Sequence, residues 1–166
     1  MSKHSISAII HIIRQTETKK GGPKPQPLTQ RNYLLFAVGT VGSKAFRKLY
    51  YNVGGKTIDV LYDGDLSCAY FVTSVLKIFD LIGAMHTTVK GSVADLKQHG
   101  WKRIAKPREG AVIVWAAKTF TNGETHRHIG FYLGKGKAVS NSSKNRSPKI
   151  HAWDYRPVEE ILWRKP

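Results

Sequence analysis

At 166 residues, with 27 Lys and Arg against 11 Asp and Glu, the chain carries a formal charge of +16 and is 41% hydrophobic. That length accommodates one well-buried core and not two, so a single domain with a tail is expected. One cysteine excludes an intramolecular disulfide, no His and acidic residues are spaced as a zinc site, and no apolar stretch is long enough to span a membrane, so neither metal nor cofactor is expected. The charge favours anionic partners such as nucleic acid, anionic lipid or acidic cell-wall polymer without choosing among them. It is spread through tails and loops and forms no specific nucleic-acid motif.

The chain opens with an apolar run from Ile6 to Ile13, broken by Ser7 and His11 and followed by "RQTETKK" without a small-residue cleavage site. It is not read as a secretion signal, which leaves localisation open between the cytoplasm and a non-standard route to the cell wall. Lys19 to Pro27 is rich in Lys, Gly and Pro and reads as a linker. Residues 1–33 are therefore expected to form a flexible basic tail, and residues 34–166 the domain.

Three helices are expected next. "SKAFRKLYYNVGG" places Ser43 as an N-cap and Gly54 or Gly55 as the stop. In "DLSCAYFVTSVLKIFDLI", Cys68, Phe71, Val72, Val75, Phe79 and Ile82 recur at helical spacing, while Thr73, Lys77 and Asp80 fall elsewhere, giving a core helix ended by Gly83. "SVADLKQHG" starts at Ser92 with Asp95 three residues on, as in a capping box, and ends at Gly100.

After Pro107 the pattern turns to strands. "AVIVWAA" is a continuous apolar run suited to a strand buried on both faces. "RHIGFYLG" alternates, with Ile129, Phe131 and Leu133 on one side and His128, Gly130 and Tyr132 on the other. Asn122-Gly123 and Gly134 to Gly136 supply turns for an antiparallel meander, and "PKIHAW" and "EEILWR" are two further strands. Helices followed by strands predict an α+β domain with helices against one face of an antiparallel sheet.

Cys68 stands at the first turn of its helix, where unpaired N–H groups and the dipole lower a thiol pKa, so a reactive thiolate is one expectation. A buried structural cysteine in register with the apolar face is the other. A nucleophilic cysteine needs a histidine base and a group that orients the imidazole. His128 suits the base, with Gly130 leaving room beside it, and Asn141 in "AVSNSS" is the first choice to orient it. His126 lies two positions earlier, nearer the loop, and is expected to be exposed. His151 and Trp153 alternate on a late strand and either line the cleft or pack, and Trp115 closes the core beneath.

The order of a helix-borne Cys68, "REGAVIVW" and "HRHIGFYLGKGKAV" resembles the NlpC-type cell-wall peptidases and the CHAP amidases, papain-like cysteine hydrolases of peptidoglycan. Arg108-Glu109-Gly110 stands where those families have a Pro-Gly-Asp turn, and His128-Ile129-Gly130 matches their strand bearing the base. The resemblance, over roughly Tyr62 to Trp153, implies Cys68 as nucleophile and His128 as base. The NlpC-type pattern has a His where Ser140 stands here, whereas CHAP domains often use Asn or Glu on the next strand, which suits Asn141. Ser67-Cys68-Ala69-Tyr70-Phe71 departs from the NlpC-type Asp-Cys-Ser-Gly-Phe and is closer to CHAP.

The implied activity is hydrolysis of peptide or amide bonds in peptidoglycan through a thioester, by a thiolate paired with protonated His128. Tyr62, Ser67 and Ser140 are candidates for an oxyanion donor or the cleft wall. A monomer is expected, with a peptide substrate and an anionic wall polymer as partners. Transfer to another acceptor or deamidation on the same fold, and a non-catalytic basic module, are the competing readings.

Overall fold

The computed structural model describes residues 25–119 and 123–165. The elements in chain order are α1 (Thr29–Gly39), β1 (Tyr50–Val53), β2 (Lys56–Asp59), α2 (Cys68–Ile78), α3 (Val89–Gln98), β3 (Lys102–Arg103), β4 (Val112–Thr119), β5 (Thr125–Gly134), β6 (Lys137–Ser142), β7 (Ser147–Ala152) and β8 (Val158–Trp163). The fold is α+β, as expected. A six-stranded antiparallel sheet has the order β3-β8-β4-β5-β6-β7, so the meander runs from β4 to β7 and β8 returns to the far side of β4. Among the described residues, no helix is long and apolar enough to cross a membrane.

The core follows from the period-2 pattern of the central strands. Val112, Val114, Ile129, Phe131 and Val139 project from the sheet into a cluster shared with Phe71, Val72, Val75 and Leu76 of α2. These α2 side chains are fully buried, and each stabilises the fold by about 1.5–3 kcal/mol relative to exposure. The opposite face carries a smaller cluster of Ala111, Ile113, Trp115, Ala138 and Ile161.

Helix α1 joins the larger cluster through Tyr33, Leu34 and Ala37, and the Tyr33 hydroxyl donates to the Gly110 carbonyl at 2.7 Å. It begins at Thr29, so the boundary expected at residue 34 falls inside a packed helix. Residues 1–24 of the expected tail, and Asn122 of the expected turn, lie outside the described residues.

Three local expectations are corrected. The helix expected over 43–55 is absent; Tyr50–Val53 and Lys56–Asp59 form a hairpin instead. Gly54 and Gly55 both have positive φ, at 57° and 81°, which is the backbone of a two-residue hairpin turn rather than of a helix stop. Helix α2 ends at Ile78, ahead of Gly83, because Asp80 takes a positive φ of 57° and the Leu81 N–H bonds back to the Leu76 carbonyl at 3.0 Å. Helix α3 starts at Val89 and is capped by Thr88, whose side chain accepts from the Gly91 N–H. Ser92, the expected cap, lies inside that helix and returns its hydroxyl to the Thr88 carbonyl at 2.8 Å.

Thr73, placed by spacing off the apolar face, is also buried. Its hydroxyl donates to the Ala69 carbonyl at 2.8 Å and accepts from the His86 N–H at 2.9 Å.

Candidate functional site

The first turn of α2 meets the sheet where the sheet opens. Strands β5 and β6 pair at Phe131↔Val139, Tyr132↔Ala138 and Gly134↔Lys137, and the ladder ends at Phe131↔Val139 although both strands continue beyond it. On the opened edge the Ile129 N–H faces the Cys68 thiol, together with the N–H groups of Cys68 and Ala69 at the helix start. Cys68, packed against the helix-side core, thereby reaches this edge, whereas the His128 imidazole lies against Trp115 on the other face.

Cys68 and His128 line one cavity of about 570 Å³, with Asp65, Thr88, His126 and Arg156 among the other walls. A larger groove of about 670 Å³ runs along α1, lined by Leu28, Leu34, Leu35 and Val38, and it holds neither thiol nor imidazole. Among the described residues no hydrogen bond joins Cys68 to His128.

The loop before Cys68 is pinned from several sides. The Asp59 carboxylate accepts from the N–H groups of Leu49, Leu61 and Asp63 at 3.1, 3.1 and 2.8 Å. Asp63 pairs with Arg47 and Arg146 at 2.5 and 2.7 Å, and these guanidinium groups, Arg47 above all, hold its carboxyl below the usual range. Asn141 contributes here too: its Nδ2 donates to the Gly64 carbonyl at 2.8 Å. Asn141 is therefore not brought to His128. Alternation along β6 turns it to the side of Val139, and its role is to tether the loop that delivers the cysteine.

Ser140, one residue earlier, takes the place expected of Asn141. His128 Nε2 and Ser140 Oγ lie 2.8 Å apart, and Ser140 Oγ lies 2.7 Å from His151 Nε2. His151 in turn places Nδ1 2.8 Å from the Ala152 carbonyl. Trp115 floors this row, its ring 5.5 Å from those of both His128 and His151, and its Nε1 donates to the Trp153 carbonyl at 2.7 Å. Tyr155 closes over His151 with ring centroids 4.5 Å apart.

Gly130 is required by this packing. A Cβ there would come within 2.5 Å of the Val139 carbonyl oxygen, 2.7 Å of the Ser140 Cβ and 3.0 Å of the Trp115 ring.

The other sequence candidates lie elsewhere. Tyr62 is 67% exposed and does not line the cavity. Ser67 is fully buried at the N-cap of α2, with its Oγ unpartnered among the described residues. His126 lines the cavity mouth and pairs with Glu124 at 3.0 Å. Trp153 packs its ring 5.8 Å from Tyr132.

Arg156, which no sequence signal marked, enters from the loop between β7 and β8. Its Nη2 donates to the His126 carbonyl at 2.6 Å, while its Nε is buried without a partner among the described residues.

Electrostatics at the site run against a preformed ion pair. Burial pushes the Cys68 thiol up to about 11, opposed by the three nearby N–H groups and by Arg156. Burial pulls His128 down to about 3, and the Arg156 charge acts in the same direction. Both shifts run against the thiolate and protonated His128 expected from the helix terminus, because desolvation opposes charge on either group. Desolvation at a lined cavity outweighs the dipole.

No family model matches the chain, and no curated protein matches it. Among solved structures, the peptidoglycan hydrolase RipB from Mycobacterium tuberculosis is similar over 97% of this chain and 86% of its own, at 15% identity and a TM-score of 0.49.

Proposed function

We propose that the protein is a cysteine hydrolase that cleaves peptide or amide bonds in peptidoglycan. The observation that carries this reading is the common cavity of Cys68 and His128, with His128 already fixed through Nε2 by Ser140. Its remaining ring nitrogen, Nδ1, is then the one available to a thiol. The substrate class rests on the resemblance of the Cys68, "REGAVIVW" and "HRHIGFYLG" segments to the NlpC-type and CHAP hydrolases, and the charge of +16 suits an anionic wall.

The chemistry is acyl transfer by general-base catalysis. As Sγ of Cys68 bonds to the carbonyl carbon, His128 Nδ1 takes the thiol proton, and the carbonyl oxygen gains the negative charge. The imidazolium returns the proton to the leaving amine, the C–N bond breaks and a thioester remains. Water then adds with His128 again as base, the acid leaves and the thiol is regenerated. A neutral resting pair makes proton transfer part of the attack, so the rate falls when His128 cannot accept.

The test is incubation of the wild type and Cys68→Ala with purified peptidoglycan, followed by mass analysis of the soluble products. Release of muropeptides by the wild type alone is expected, and their masses separate amidase from endopeptidase. No release by the wild type, or equal release by both, overturns the reading. Iodoacetamide labelling of Cys68 is expected to be slow at pH 7 and to accelerate as pH rises toward about 11.

A further inference from the structure

A base that works through Nδ1 must carry its proton on Nε2, and in a neutral ring that choice is set by whatever Nε2 touches. Here Nε2 touches a hydroxyl, which either donates or accepts and by itself decides nothing. The decision is made further along the row. The Ala152 carbonyl only accepts, so His151 Nδ1 donates to it. Neutral His151 then has a lone pair on Nε2, which accepts the hydroxyl proton of Ser140. With its one hydrogen used, Ser140 Oγ accepts from His128, placing the proton on Nε2 and leaving Nδ1 bare.

We propose that His151, acting through Ser140, is the positioning residue that sets the tautomer of His128. This rests on the acyl-transfer reading for its catalytic consequence, but the proton order itself depends only on the row. Burial holds His151 below its ordinary value, which keeps it neutral and able to accept. Trp115 and Tyr155 fix the ring in place, so the acceptor does not swing away. When His128 takes the thiol proton, its Nε2–H continues to donate to Ser140, and no proton need move along the row. Because the relay ends on a carbonyl and not on a carboxylate, it orients the base without strengthening it, which agrees with a His128 held down by burial.

The experiment compares the wild type, His151→Phe, His151→Gln and Ser140→Ala. In His151→Phe the serine hydroxyl is released to donate toward His128, which favours the proton on Nδ1, the unproductive tautomer. Hydrolysis of peptidoglycan fragments is expected to lose at least about 10-fold in kcat with KM little changed, since general-base catalysis contributes about 10²- to 10⁴-fold. Ser140→Ala should lose a similar factor. His151→Gln, whose amide oxygen can accept from Ser140, should stay within about 3-fold of the wild type.

The direct readout is the ring-nitrogen NMR of His128: Nε2–H in the wild type and His151→Gln, and a shift toward Nδ1–H in His151→Phe. A folded His151→Phe with wild-type kcat, or with the His128 tautomer unchanged, overturns the proposal. If the wild type does not hydrolyse peptidoglycan at all, the functional reading fails while the NMR comparison still decides the relay.

Discussion

The two faces of the β4-β5-β6 sheet are built from alternate residues of the same strands, yet they differ in kind. Toward α2 the strands present Val112, Val114, Ile129, Phe131 and Val139, all fully buried. On the other side Trp115, His128 and Ser140 meet His151 of β7 in a row of rings and hydrogen bonds. One face is a core whose parts exchange at the cost of stability. The other is an arrangement in which donors and acceptors must follow one order. Neither alone makes a site, because the thiol belongs to the helix-covered face and the imidazole to the other. Both line one cavity, at the edge where the β5–β6 pairing ends beyond Phe131 and the Ile129 N–H faces the cysteine.

The contrast is broken most severely from the core side. Phe131 packs between Tyr33, tilted at 5.7 Å, and Phe71, edge-on at 5.9 Å. Phe131→Ala should lower unfolding free energy in urea by about 3–5 kcal/mol. The His128 tautomer should be unaltered wherever the variant remains folded. A loss under about 1 kcal/mol would mean that the helix-covered face is not the stabilising one. Gly130→Ala tests the junction of the faces. Its added methyl meets the Val139 carbonyl and Ser140 at once, so a loss of about 1–3 kcal/mol is expected, together with reduced hydrolysis. Wild-type stability in that variant would mean that β6 has room to shift.

Much of this was legible in the sequence where one periodicity dominated. The apolar spacing of Phe71, Val72 and Val75, the unbroken run at Val112 to Trp115 and the alternation around Ile129 gave helix α2 and strands β4 and β5. The hairpin at Tyr50 to Asp59 was not legible, because "KLYYNVGG" reads as a helix with a glycine stop and as a hairpin with a turn, and only the two positive φ angles separate them. Cys68 and His128 could be picked out by residue type and the motif around them. Asn141 against Ser140 was a question of strand parity, and a one-residue change of parity turns a side chain to the opposite face. Arg156 comes from a loop with no periodic signal, and the role of His151 depends on a carbonyl acceptor that no sequence pattern displays.

The smallest effect, at any single step of pH, lies in the acid limb of stability and separates the polar face from the surface carboxylates. His128 is depressed from 6.5 to about 3, so the unfolded chain takes up a proton below about pH 6.5 that the folded chain refuses. Its contribution is therefore full above that value and declines as pH falls toward the folded value, at up to about 1.4 kcal/mol per pH unit. His151, also depressed by burial, adds in the same direction. Asp59, Asp63 and Asp95 are lowered from an ordinary 3.8, so their losses centre below that of the histidines. Urea unfolding between pH 7 and pH 4.5 should thus show stability falling in the wild type, and His128→Gln should show a slope shallower by about one proton. Parallel slopes would mean that His128 is protonated in the folded protein at mild acidity. A charged imidazole would then already occupy the polar face before any thiol gave up its proton.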